Sequence, residues 1–235
     1  MRKFLDYVKE AVKVHSSMKE RFVKSLFVIV LACSSFSLFM PLDAQVTETG
    51  ISIEPLSLVL NLLMVLLTGL AGIIYLKAYL DRTASAGAVL MDVLKKLPLI
   101  LLSMLVFYTG TLVGALFFLV IPGLIFYTAS QFYICRQLEM RESLIKSFTG
   151  SWVITYGHRL RIFFYVAGFA LMLYAAAAVL SSLAEWVYIL ISGNSSGENL
   201  GYFVQFFILS LGNLMQRRFQ GAIYLDIRNP GQKAG

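Results

Sequence analysis

The chain has 235 residues, 58% of them hydrophobic and 14% charged, with a mean hydropathy of +0.76. A soluble domain carries about 25% charged residues, so this chain lacks the polar side chains to coat its own surface in water. Its net charge of +7 reads as a topology signal, set out below, and nucleic acid is not expected as a partner.

The first predicted element is a cytoplasmic amphipathic helix over 1–24. Phe4, Val8, Ala11, His15, Met18 and Phe22 recur at steps of three and four, with charges on the other face. That is the pattern of a helix lying in the membrane interface. Ser17 and Glu20 have the spacing of a capping box that restarts the helix toward the first crossing. A cleaved signal peptide has a short basic region before its apolar core; here Asp6, Glu10 and Glu20 interrupt that region.

Five windows without Asp, Glu, Lys, Arg or His follow: 25–42, 55–76, 97–135, 162–184 and 199–216. A helix crosses a bilayer core with about 20 apolar residues, and four windows fit one crossing each. The window 97–135 would make a straight helix of about 58 Å at ~1.5 Å per residue, nearly twice the hydrocarbon thickness. It is therefore expected to fold back, with Gly110, Gly114 and Pro122-Gly123 as places to turn. Six crossings result, near 25–42, 56–76, 97–115, 119–136, 162–184 and 200–218.

The twenty Lys and Arg residues fall before the first window, in the second and fourth connections, and after the last window. None lies in the first, third or fifth connection, where Asp43, Glu48, Glu54, Glu185 and Glu198 are found. Basic loops stay in the cytoplasm, so both termini are expected inside. The fold class is then all-α: a polytopic integral membrane protein of the cell (inner) membrane, a single membrane domain over 1–235. It has six transmembrane helices as three hairpins, with cytoplasmic amphipathic helices and an N-in/C-in orientation.

A repeated unit is suggested by two further amphipathic segments, 84–97 and 143–160, the second interrupted at Gly150 and Gly157. Each pair of crossings closes on a similar tail: Tyr79-Leu-Asp-Arg82, Leu138-Glu-Met-Arg141 and Tyr224-Leu-Asp-Ile-Arg228. Either three hairpins share one design, or inner-membrane hairpins simply end this way.

Catalytic motifs mostly fail. Ser195 stands in a G-x-S-x-G match, but that chemistry needs a strained strand-turn-helix and a base. Ser195 is expected in an outside loop, while His15 and His158 are on the cytoplasmic side. Asn194 opens a glycosylation sequon of a kind common by chance. Cys33 and Cys135 fall in apolar windows and make no disulfide framework. The sequence has no zinc-type cluster, so neither an enzyme nor a cofactor or metal is expected.

Ionisable residues inside a membrane usually mark ion pathways, and the windows hold no Asp, Glu, Lys, Arg or His. The polar intramembrane residues are Asn61, Gln131, Gln205 and Asn213. Their roles are either hydrogen bonds between helices or a substrate site. Gly110-x-x-x-Gly114 and the run 175–178 of alanines suit close helix contacts, and Trp152 and Trp186 suit interfacial belts. Arg217 and Arg218 precede another apolar stretch and would lie near headgroup depth. With Arg136 they form a candidate lipid-phosphate site, since guanidinium forks bind phosphate bidentately; ordinary snorkelling of helix-end arginines is the alternative.

Three stretches, 149–159 (TGSWVITYGHR), 120–124 (VIPGL) and 222–228 (AIYLDIR), carry a resemblance. From about residue 80 onward the chain resembles the uncharacterised bacterial six-helix membrane proteins akin to the membrane domain of glycerophosphodiester phosphodiesterases. The resemblance implies an envelope protein. It does not bring the phosphodiesterase activity, because the chain has no acidic metal cluster and leaves no room for that soluble domain. The expected role is a lipid-contacting scaffold or accessory subunit, with a transporter or channel for a small or lipidic solute as the alternative. Its expected partners are membrane lipids, anionic ones included, and a membrane-protein partner or a second copy of the chain.

Overall fold

A computed structural model describes residues 1–12, 25–26, 28–29, 31–32, 35, 44–47, 50–53, 55–81, 83–117, 120–192 and 198–228. Several sequence expectations lie outside the described residues: His15, the Ser17–Glu20 box, Cys33, most of the first crossing, and the loop holding Asn194 and Ser195. The body of the protein is helical. In chain order the helices are α1 (Phe4–Val12), α2 (Pro55–Leu80), α3 (Ala86–Phe117), α4 (Val120–Ala129), α5 (Tyr133–Met140), α6 (Leu144–Thr155), α7 (Arg159–Ser192) and α8 (Glu198–Arg228). The described positions between 25 and 35 are helical too. One short antiparallel pair departs from the all-α expectation: β1 (Ala44–Thr47) on β2 (Gly50–Ile53), with Ala44 opposite Ile53 and Thr47 opposite Gly50.

Among the described residues, three helices are long and apolar enough to cross a membrane, over Leu63–Leu80, Ala86–Leu116 and Arg159–Ser192. Protein covers only 17% of the residues in the second span and 22% in the third. Leu105, Leu112, Leu116, Leu171, Val179 and Ile191 are all exposed there. Apolar surface on that scale is stable only when lipid or another protein covers it.

The contacts divide the chain into two compact units, where the sequence reading has a single domain over 1–235. One comprises residues 1–19, 73–169 and 215–235; the other comprises 20–72 and 170–214. In the second unit, Asn213 on α8 donates its side-chain amide to the Thr68 carbonyl of α2 at 3.3 Å. Thr68 points back to its own helix, its hydroxyl bonding the Met64 carbonyl. Of the alanine run at 175–178, only Ala177 is buried, so the expected close helix contact is made at one position and the other three methyls face outward.

The first unit is built on aromatic rings. The Phe169 and Phe219 rings of α7 and α8 stack at 4.4 Å, and the edges of Phe4 and Tyr7 from α1 meet Phe219. Tyr7 and Ala11 are buried, while Leu5 and Val12 are exposed. The sequence reading set the apolar face of 1–24 in the membrane interface; in α1 that face packs on protein, because Tyr7, between the two counted turns, is the residue that docks. On the other side of the unit, Tyr133 of α5 stacks on Phe148 of α6 at 4.7 Å, and Phe107 of α3 packs on both Tyr127 and Tyr133.

Helices α3 and α4 run back along each other. At Gly114 a β-carbon would stand 2.9 Å from the Gly123 α-carbon, and at Gly123 one would stand 2.6 Å from the Ala115 amide nitrogen. Only glycine permits backbones this close. The amphipathic segment expected over 84–97 and the crossing expected near 97–115 are parts of one 32-residue helix, Ala86–Phe117, that passes through Pro98. A proline removes one backbone bond, and the flanking apolar turns hold the helix together.

The largest departure lies in the fourth crossing, expected as one helix near 119–136. The chain turns at 130–132, leaving α4 with 10 residues, about 15 Å at ~1.5 Å per residue. Gly150 also proves not to interrupt its segment, since α6 runs straight through it. The turn comes at Gly157, whose φ is +80°.

Candidate functional site

A broken helix frees backbone donors and acceptors that a low-dielectric setting requires to be paired. At 129–132 the partners come from α6. The Ser151 hydroxyl donates to the Ala129 carbonyl at 2.7 Å and accepts from the Phe132 N–H at 3.1 Å. Thr155 adds a longer bond to the same carbonyl at 3.4 Å, and the Trp152 indole N–H donates to the Ser130 hydroxyl at 3.0 Å. Ala129, Ser130, Phe132, Ser151 and Thr155 are all fully buried. The sequence gives little notice of this, because the capping hydroxyls lie about twenty residues beyond the break.

The C-terminal end of α5 is held by two lysines. Lys77 of α2 donates to the Leu138 carbonyl at 3.0 Å, and Lys96 of α3 reaches the Gln137 carbonyl at 3.3 Å. Cations are favoured at a helix C-terminus. Asp92 lies between them, 3.3 Å from Lys77 and 3.1 Å from Lys96. Gln137, also missed from the sequence because it falls just past its window, is fully buried and donates to Ser103 and Ser147.

The three tail motifs now have a physical content, since the acid of each takes an ion pair. Asp81 pairs with Lys77. Glu139 accepts from Arg228 and, at 2.7 Å, from the Tyr224 hydroxyl. Asp226 accepts from Tyr7 at 2.6 Å and from the Arg2 guanidinium at 3.3 Å, which ties α1 to the end of α8.

Burial acts to raise the Asp226 carboxyl, but the bonds from Tyr7 and Arg2 outweigh it and hold it below the usual carboxylate range. A carboxyl lowered in the folded state stabilises above its unfolded value of about 3.9, and that stability is lost as pH falls through the folded value. Acidification below about pH 4 is therefore expected to release α1 first. Hydrogen exchange would show this as loss of amide protection over 4–12 before that of α5. Equal loss in both would contradict it.

The three arginines of the candidate phosphate site are not brought together as free forks. Arg136 is held by both carboxylate oxygens of Glu142, returned to it by a left-handed residue at Arg141 with φ 55°. A β-carbon on Gly150 would stand 2.2 Å from the Arg136 Nε, so that glycine makes the space for the pair. Arg218 is buried and bonds Glu10 and the Tyr75 hydroxyl, each at 3.2 Å, with its guanidinium 5.2 Å from the Tyr79 ring. Arg217 differs. It is half-buried and donates to the Gln220 side chain at 3.3 Å, and its Nε is buried without a hydrogen-bond partner. Its charge lies near Tyr127 and Tyr133. Gln131 is buried by the same break, its Oε1 lacking a partner. Gln205 is exposed, and the side chain of Asn61 lies outside the described residues. Among the described residues no three His, Cys, Asp or Glu side chains gather as a metal site requires.

No family model, curated protein or solved structure matches this chain. Function has to be read from the residues themselves. The arrangement offers buried capping hydroxyls, paired charges, and an incompletely satisfied guanidinium, Arg217, whose charge lies near Tyr127 and Tyr133. Such a group suits an anion.

Proposed function

We propose that this chain is a six-crossing protein of the bacterial inner membrane, with both termini cytoplasmic and three hairpins. In this reading it works as a lipid-contacting scaffold or accessory subunit. One observation carries the proposal: long apolar helices whose outer faces no other described part of the chain covers. The segregation of all twenty basic residues to alternate connections supports the orientation. The likeness of 120–124, 149–159 and 222–228 to the six-helix proteins akin to the phosphodiesterase membrane domain supports the envelope setting. Arg217 is retained as the lipid-phosphate ligand, while Arg136 and Arg218 serve the fold through their carboxylate pairs.

Transport of a small or lipidic solute is the second reading, favoured by the broken α4–α5 segment. Transporters build substrate sites at such breaks, where unwound backbone groups face the substrate. Here Ser151 and Thr155 occupy those groups at Ala129 and Phe132, which favours a structural role for the break.

The test is mass spectrometry of the lipids retained by the full chain in native polymer discs. Wild type is expected to retain anionic lipid above its share in the bulk membrane, and Arg217→Ala to lose that excess. One desolvated charge-assisted contact is worth about 1.5–3 kcal/mol, roughly a tenfold or greater change in occupancy. A bulk lipid profile in both proteins would remove the Arg217 site.

A further inference from the structure

Trp152 is shared by two features of the surface. It lines an open apolar groove of about 380 Å³ between α3, α4 and α6, with Val106, Phe126, Leu144, Ile145 and Phe148. Ligand pockets are commonly about 300–1,000 Å³. The Arg159 guanidinium lies 5.1 Å from the Trp152 ring and 5.7 Å from the Tyr156 ring. One of its nitrogens donates to the Trp152 carbonyl at 3.4 Å, and its Nε is buried without a partner.

Arg159 also lacks the carboxylate partner that several basic residues of the fold have. Arg2, Lys77, Lys96, Arg136, Arg218 and Arg228 each pair with a carboxylate. Among the described residues, Arg159 has none. Exposed Arg161 lies two residues further on, and Lys146 is exposed on α6 beside Ile145 of the groove, so basic side chains border it. On α6 Ile145 and Val153 are 72% and 73% exposed, and Tyr156, just past its end, is 79% exposed.

We propose that this is a binding site for one anionic phospholipid, with an acyl chain in the groove and the phosphate on Arg159. Trp152 is shared by both. An apolar helix of a partner protein would fill the groove but leave Arg159 desolvated and unpaired, which is costly. A zwitterionic lipid would bring its own cation against the cationic rim. The guanidinium is already braced by two rings, so little side-chain freedom is lost when phosphate binds. The inference rests on the membrane reading above and names a site independent of Arg217.

The chain has two tryptophans, so Trp186→Phe leaves Trp152 as the sole fluorescent indole. That full-length protein would be reconstituted in equimolar phosphatidylcholine and phosphatidylglycerol, with bromine on the acyl chains of one lipid or the other. Quenching is expected to report about a fivefold preference for brominated phosphatidylglycerol, the effect of one basic residue at a membrane surface. Arg159→Gln is expected to abolish the preference while brominated phosphatidylcholine still quenches. Equal quenching by both lipids in the protein that retains Arg159 would overturn the site, and that comparison needs no Arg159 variant. Quenching by neither lipid would overturn it too. An alkaline wash of the same vesicles then separates the two ideas: protein that stays with the lipid keeps the membrane reading, and protein that is released fails it.

Discussion

Replacing Ser151 with alanine is expected to destabilise the protein by about 3 kcal/mol, with the loss centred on the turn at 130–132. The change removes the hydroxyl and adds no bulk to a fully buried site, so packing is little changed. What disappears is one hydroxyl that serves both ends of a broken helix, the Ala129 carbonyl and the Phe132 N–H. Each buried group left unpaired costs about 1–3 kcal/mol. Thr155 covers part of the loss at Ala129 through its longer bond, whereas nothing replaces the acceptor at Phe132. Thermal denaturation in detergent, with hydrogen exchange across 126–136, would check it. An unchanged midpoint and unchanged protection would mean that the turn is satisfied in another way.

A second large effect is expected from Glu10→Ala. Arg218 is 4% exposed, and Glu10 supplies a carboxylate to it from α1. Breaking a buried pair by removing one partner costs about 3–5 kcal/mol. Glu10 is itself partly exposed, at 22%, so the lower end applies. Tyr75 still bonds the guanidinium and Tyr79 still lies beside it. The double change Glu10→Ala with Arg218→Met is expected to recover part of the loss, because it removes the buried charge that faced the Glu10 carboxylate and fills the same space. A double variant no more stable than Glu10→Ala alone would show that the cost comes from α1 packing.

These two sites also mark where sequence reasoning ends. The long apolar helices were legible, since charge-free windows and the bilayer length are both local properties. Within 97–135 the length of the window asked for a turn, and Gly114 and Gly123 are where α3 and α4 approach closely. The break at 130–132 was not legible, because Ser130-Gln131-Phe132 carries no proline or glycine. It depends on hydroxyls of a later helix, which no periodicity within 119–136 records. Arg136 and Arg218 looked available for phosphate for the same reason: their carboxylates, Glu142 and Glu10, lie beyond a turn or at the far end of the chain. Arg217 and Arg159 are arginines that pair with no such acid among the described residues, and each also has a buried Nε without a hydrogen-bond partner.

The docking of α1 has a consequence for biogenesis. Tyr7 meets Asp226 across 219 positions of sequence, and the rings that receive Phe4 and Tyr7 include Phe219 near the end of α8. At about 5–20 residues per second, roughly 10–40 seconds pass between synthesis of α1 and synthesis of its receptor. During that interval its apolar face has no protein to cover it, and the bilayer surface is the nearest shelter. An amphipathic pattern suited to a membrane interface is then the trace of a waiting position. Helix α1 is seated only after the α8 residues that receive it have been made.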